Sequence, residues 1–225
     1  MENIYRGKTK DLLQDEQGKT YFHFKDDMTG KDGQFDPGAN QVGLTVEGSG
    51  KANVTVSKYF FELLEEKGIP THFVEANIDE NTMEIKPAKV FGKGLEVICR
   101  FVAVGSFIRR YGLYAESGMP LEGYVEFTLK DDDREDPLIN EDALEILGIL
   151  NEGEYAKIKQ LTRDISTIIK EDLATKGLSL YDIKLEFGRL AGSDEIVLID
   201  EVSGGNMRVY KETEYVNPLD IVHYL

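Results

Sequence analysis

Ile183-Lys184-Leu185-Glu186-Phe187-Gly188, followed by Val197-Leu198-Ile199-Asp200-Glu201, reads as two apolar strands of one hairpin, each carrying acids. Carboxylates set among Val, Ile and Leu are costly to bury unless positive charge sits beside them. A hard cation is the simplest partner for a converging Glu/Asp pair, and a cation held by so few acids usually carries phosphates. An antiparallel register turning near Gly192 is expected to put Lys184, Glu186, Leu198 and Asp200 on one face. A one-residue slip would break that grouping, and a lysine–acid salt-bridge cluster at a sheet end is the alternative.

The rest of the chain supplies the frame. The 225 residues are 41% hydrophobic and 30% charged, ordinary values for a globular protein with a sizeable core. With 26 basic against 42 acidic residues the net charge is -16, which argues against nucleic acid and anionic membranes as partners. A local basic pocket for a phosphorylated substrate stays compatible with it. The single cysteine, Cys99, lies in an apolar run and reads as a core residue. No internal disulfide is possible, and with no signal-like N-terminus or membrane-length apolar run the expectation is a cytoplasmic protein.

Strands are expected at Tyr21 to Lys25, Thr71 to Asn77, Met83 to Lys86, Leu95 to Val104 and Tyr124 to Leu129. A glycine-rich polar loop should run from Asp26 to Lys51, a length that is usually functional or mobile. Asn53 is placed to cap a helix that Gly68 stops, and Gly105-Ser106 opens a short helix to Tyr111. The longest helix, Glu154 to Lys176, has Leu161, Ile165, Ile168, Ile169 and Leu173 on one face. A small β-rich unit followed by a larger α/β unit predicts an α+β protein with a ligand cleft between two lobes, 1–90 and 91–225.

Other segments suit anions. Gly7 lets the backbone turn near Lys8 and Lys10, although an exposed basic strand is the plainer reading of those residues alone. Arg100 sits in an apolar strand just before Ser106, and the pair suits either an anion site or a structural Arg–carboxylate pair beside a capping serine. Arg208 follows a glycine pair and can reach an anion. His23, His72 and His223 lack metal-ligand spacing, and the Gly-x-Ser-x-Gly signature of a nucleophile is absent.

In order, Tyr5-Arg6-Gly7-Lys8-Thr9-Lys10-Asp11, Gly68-Ile69-Pro70-Thr71-His72, Leu95 to Arg100, Gly105 to Gly112, Glu126 to Asp132, Asp136 to Asn140, Asp182 to Gly188 and Asp200 to Ser203 span most of the chain. Together they resemble the SAICAR synthetase (phosphoribosylaminoimidazole-succinocarboxamide synthase) family of purine biosynthesis. The resemblance implies a two-lobed fold with antiparallel sheets and an ATP cleft, the smaller lobe covering ATP and the larger carrying metal and substrate sites. It implies a ligase that joins L-aspartate to carboxyaminoimidazole ribonucleotide (CAIR), using ATP and Mg²⁺ and passing through an acyl phosphate. It places Lys8 and Lys10 on the ATP phosphates and adenine around Lys89-Val90-Phe91. Arg100 and Ser106 fall on substrate-anion positions, with Arg100 and Lys184 as active-site residues. Glu186 and Asp200 fall on metal positions, and Arg208 on the ribonucleotide phosphate. A homodimer is also implied. Departures are Gly30-Lys31-Asp32-Gly33, an insertion-like Gly92-Lys93-Gly94, Gly205 where the family has an aspartate, and an end at Leu225. The missing aspartate leaves a nucleotide-binding regulatory module without turnover as the alternative, and a small-molecule kinase would share the ATP lobe.

Overall fold

The computed structural model describes residues 1–31, 34–35 and 42–225. The smaller half comprises β1 (Glu2–Arg6), β2 (Lys10–Gln14), β3 (Thr20–Phe24), β4 (Asp27–Lys31), β5 (Gln34–Phe35), β6 (Val42–Thr45), α1 (Ser49–Glu66), β7 (Phe73–Asn77) and β8 (Thr82–Ile85). One antiparallel sheet has the order β1-β2-β3-β8-β7, and β4 is flanked by β5 and β6 in a three-stranded sheet. The expected loop from Asp26 to Lys51 is therefore partly strand, although Asp32, Gly33 and Gly38 fall outside the described residues. Glycine permits the pairing of β4 with β6: a Cβ on Gly43 would lie 2.4 Å from the Gly30 carbonyl carbon.

Helix α1 begins four residues before the expected cap, because its first turn is capped from elsewhere. The Asp26 carboxylate accepts from Gly48 N at 3.2 Å and Gly50 N at 2.9 Å. Those amides are otherwise unpaired at a helix start, and the carboxylate also meets the positive end of the dipole. Asn53 is thereby left one turn inside the helix, turned inward. Gly68 stops the helix as expected, at φ 75°.

The larger half follows as β9 (Ala88–Val90), β10 (Leu95–Val102), α2 (Ser106–Tyr111), β11 (Pro120–Leu129), α3 (Glu141–Ile146), α4 (Glu154–Thr175), β12 (Ser179–Leu190), β13 (Ile196–Ile199), β14 (Met207–Lys211) and β15 (Glu214–Tyr215). The long strand β12 is the spine of a seven-stranded sheet. It pairs with β14 and then β13 on one edge, and with β10 and then β9 on the other. The strand that closes the expected 1–90 lobe is thus hydrogen-bonded into the larger sheet.

Register fixes the two faces of that sheet. Val125, Cys99, Ile183 and Met207 form one cross-strand row, and Phe127, Val97 and Leu185 the next. All seven are buried, and α4 covers them with Ile158, Ile165, Ile169 and Leu173. Alternate positions point the other way, so a second face carries the rows Tyr124-Arg100-Asp182-Arg208, Glu126-Ile98-Lys184 and Thr128-Glu96-Glu186-Ile199. One alternating pattern on three strands thus makes both a core face and a charged face. The two halves share one apolar core, joined where His72 N donates to Leu198 O at 3.0 Å and Leu198 N to Pro70 O at 3.0 Å. Among the described residues no helix is long and apolar enough to cross a membrane.

Candidate active site

The charged face forms one wall of a cavity of about 720 Å³, closed opposite by the Gly7–Lys10 turn, β4 and α1. A second pocket of about 90 Å³ adjoins it, lined by Arg100, Ser106, Asp182 and Arg208. Glu96, Lys184 and Asn206 line both, so they mark the junction.

The expected hairpin register is off by one residue. Glu186 stands opposite Ile199 and Phe187 opposite Leu198. Leu198 is fully buried on the core side rather than grouped with the charges. Continuing the strand would aim Asp200 into the core, at a large desolvation cost. Instead β13 ends at Ile199 and Asp200 takes a left-handed conformation, φ 67°, which returns its carboxylate to the cleft. His72 holds that turn by donating from Nε2 to the Asp200 carbonyl at 3.0 Å. Burial keeps the His72 imidazole neutral, its pKa lowered to about 4.

Lysines from distant segments meet the acids. Lys10 Nζ lies 3.0 Å from Asp200 Oδ1 and 2.7 Å from Glu201 Oε1. Lys130 Nζ donates to Glu186 Oε1 at 2.7 Å, and Lys184 Nζ to Glu96 Oε1 at 2.8 Å. Burial opposes charge on all three ammonium groups, yet the neighbouring carboxylates outweigh it and raise their pKa values. Glu186 is pushed up, first by burial and then by the Asp200 charge; Asp200 resists its own burial through Lys10 and Lys130 and is lowered. At the cavity mouth Lys8 pairs with Asp132, joining the N-terminal turn to the loop after β11.

In the smaller pocket Arg100 is 2% exposed. It donates to Glu126 Oε1 from Nε at 3.0 Å and Nη2 at 2.7 Å, to Asp182 Oδ2 from Nη1 at 2.7 Å, and to Ser106 Oγ at 2.7 Å. That engages all but one of its N–H groups, so its main work is to organise the pocket wall. Arg208 Nη1 donates to the same Asp182 Oδ2 at 2.8 Å. Gly105, not Ser106, is the residue that precedes α2, at φ 56° and ψ -130°. A Cβ there would sit 2.9 Å from Arg208 Nη2.

Lys8, Lys10, Lys184, Glu186 and Asp200 therefore share the large cavity, while Arg100, Ser106 and Arg208 share the small one. The remaining expected pair departs from this arrangement. Phe91 is 3% exposed in the core, with the Arg189 guanidinium 4.8 Å above its ring, and Lys89 is exposed on β9; neither lines the cavity. The aromatic ring is simply worth more in the core than at a polar cleft. Sequence reading passed over Glu96, Glu126, Lys130 and Asp182 as site residues. The signal was present: Glu96 and Arg100, Glu126 and Lys130, and Asp182, Lys184 and Glu186 keep one alternation on three strands.

Among the described residues no group of three or more His, Cys, Asp or Glu is placed to hold a metal. Glu186 and Asp200 still offer a pair of hard oxygen donors; burial and then the Asp200 charge raise the Glu186 carboxyl, and a cation beside them would offset both.

Comparisons with known proteins agree with this architecture. A family model described as SAICAR synthetase matches residues 3–220. The phosphoribosylaminoimidazole-succinocarboxamide synthase of Clostridium tetani is 58% identical over 98% of this chain and 97% of its own length. That of Thermotoga maritima is 39% identical over 93% of this chain and 86% of its own. Among solved structures, the Ehrlichia chaffeensis enzyme superimposes with a TM-score of 0.86 at 28% identity, covering 98% of this chain and 90% of that one. A SAICAR synthetase in complex with ADP gives a TM-score of 0.83 at 33% identity, covering 96% and 88%. By sequence over nearly its whole length and by fold, the chain belongs to the SAICAR synthetase family.

Proposed function

We propose that this protein is an ATP-dependent carbon–nitrogen ligase of purine biosynthesis that joins L-aspartate to carboxyaminoimidazole ribonucleotide, giving SAICAR, ADP and phosphate. The observation that carries this reading is the pair of adjoining cavities. One has acids and lysines suited to a nucleotide triphosphate, the other has arginines suited to a phosphorylated acceptor, and Glu96, Lys184 and Asn206 lie between.

The chemistry assigns roles to this chain's residues. Three anionic reactants must come together, so cationic groups have to offset their repulsion. Lys8 and Lys10 lie at the turn over the cavity and suit the ATP phosphates. Glu186 and Asp200 would hold Mg²⁺, which supplies charge neutralisation on the phosphates. Arg208, set by Asp182 and Gly105, suits the ribonucleotide phosphate, with Arg100 and Ser106 fixing the wall behind it. Lys184 at the junction suits the carboxylate that reacts. A carboxylate oxygen of CAIR forms a bond to the γ-phosphorus as the bond to the ADP oxygen breaks. The aspartate amine then attacks the acyl carbon, phosphate leaves, and the amine nitrogen gives up a proton. No protein nucleophile is required. The family reading further implies a cytoplasmic location and a homodimer; sedimentation of the purified protein would check the dimer.

ADP release measured with each reactant omitted in turn tests the proposal. A requirement for ATP, aspartate and CAIR together supports the ligase. Release without an amine would instead make the protein a kinase, and no release from any mixture would make it a nucleotide-binding module.

A further inference from the structure

Helix α1 carries Ser49, Asn53 and Ser57 at four-residue spacing, all buried, and the Ser hydroxyls and Asn53 Oδ1 have no hydrogen-bond partner among the described residues. Buried polar groups are rarely left so. Ser57 has a local remedy: a hydroxyl in a helix can turn to the carbonyl four residues back, as Thr55 Oγ1 does to Lys51 O at 2.7 Å, and Ser49 stands at the first residue of the helix, away from the cavity lining. The Asn53 oxygen has none, since it only accepts and the helix amides around it are spent on the backbone. Asn53 also differs in place. It is 6% exposed, yet it lines the large cavity together with Met28 and Thr29 of β4 and with Gly205 and Asn206, and α1 packs against both of those segments.

We infer that Asn53 binds the amine-bearing co-substrate, an α-amino acid, at this corner of the cavity. The inference rests on the ligase reading above. Elimination points to the corner: the Lys10, Glu186 and Asp200 side suits the triphosphate, the Arg208 pocket suits the ribonucleotide, and the junction at Lys184 and Asn206 suits the carboxylate under attack. The corner beside Asn206 is the remaining approach to that carbon. Gly205 brings no side chain to its floor. A carboxamide both accepts and donates, so it can meet an amine and a carboxylate of one amino acid. It is also neutral. A carboxylate in its place would favour the ammonium form, which has no lone pair for attack.

The test is steady-state ADP release by Asn53→Ala and Asn53→Asp, with each of ATP, aspartate and CAIR varied in turn. Loss of one hydrogen bond to a charged ligand corresponds to a roughly ten- to hundredfold rise in the aspartate KM for Asn53→Ala, with the other two KM values within about twofold. The near-isosteric Asn53→Asp should also move the acid limb of kcat, which reports ionisations in the bound complex, to higher pH, which a merely structural role would not do. An unchanged aspartate KM in a folded variant, or a rise confined to ATP or CAIR, overturns the inference. Wild-type release that needs no aspartate overturns the ligase reading instead, so the two failures are distinguishable.

Discussion

Gly105→Ala tests how the backbone sets the small pocket. Gly105 sits at φ 56° and ψ -130°, a region that side-chain-bearing residues rarely occupy. Holding alanine there costs on the order of 1–3 kcal/mol. The new methyl would also lie 2.9 Å from Nη2 and 3.0 Å from Cζ of Arg208, closer than such contacts allow. Arg208 is the far end of a flexible side chain, so it yields, and its 2.8 Å bond to Asp182 weakens as it moves. Losing one charge-assisted contact to the ribonucleotide phosphate is worth about 1.5–3 kcal/mol. The expected result is a fall of roughly ten- to hundredfold in kcat/KM for CAIR, with kcat/KM for ATP little changed. Arg208→Ala should reproduce that pattern without the backbone strain. Gly148→Ala supplies the control: Gly148 also has a positive φ, 64°, but a Cβ there meets nothing within 4 Å. It should lower Tm, at about 2–4 °C per kcal/mol for a chain of this size, and leave the kinetics alone. If Gly105→Ala behaves like Gly148→Ala, with Tm reduced and kcat/KM for CAIR intact, then Arg208 does not hold the ribonucleotide and the reasoning fails.

Other outcomes follow from the same geometry. Asp200→Asn should depress turnover by ~10²-fold or more while leaving the fold intact, since it removes one of the two carboxylates proposed to hold Mg²⁺; normal turnover at limiting Mg²⁺ would reject the metal role. His72 is buried and neutral, its pKa lowered from 6.5 to about 4. The unfolded chain therefore binds the extra proton between those values, so stability is complete above pH 6.5 and declines as pH falls toward 4, by roughly 3 kcal/mol from this group. Urea unfolding of His72→Gln across that range should show a flatter profile than wild type, and parallel profiles would remove His72 as the cause. Arg100→Met should destabilise by about 3–5 kcal/mol, because Glu126 and Asp182 would stay buried with one fewer cation. Equilibrium unfolding measures this, and a loss well under about 1 kcal/mol would show that Arg110, which also pairs with Glu126, and Arg208 suffice.

Much of the frame was legible in the sequence. The alternation in Leu95 to Phe101, Tyr124 to Leu129 and Ile183 to Phe187 is a property of neighbouring residues and marks strands wherever they end up. The same holds for the apolar stripe of α4 and the stops at Gly68 and Gly177. The acids and basic residues of the site were visible as costly charges in apolar runs, and their order along the chain carried the family.

What pairs with what was not a local property. Whether Asp200 shares a side with Glu186 depended on a register that buries Leu198 against the core, and on a left-handed turn that His72 supports from the other half of the molecule. The capping of α1 by Asp26 displaced Asn53 from the cap into the cavity wall. Lys10 reaches Glu201 across 191 positions, and Phe91 was claimed by the core rather than the cleft. Periodicity says which side chains share a strand's face, since it follows from backbone geometry alone. Which face meets the core, and which distant charge lies opposite an acid, is settled only when the whole apolar surface is buried at once, because burial and desolvation outweigh any single local preference.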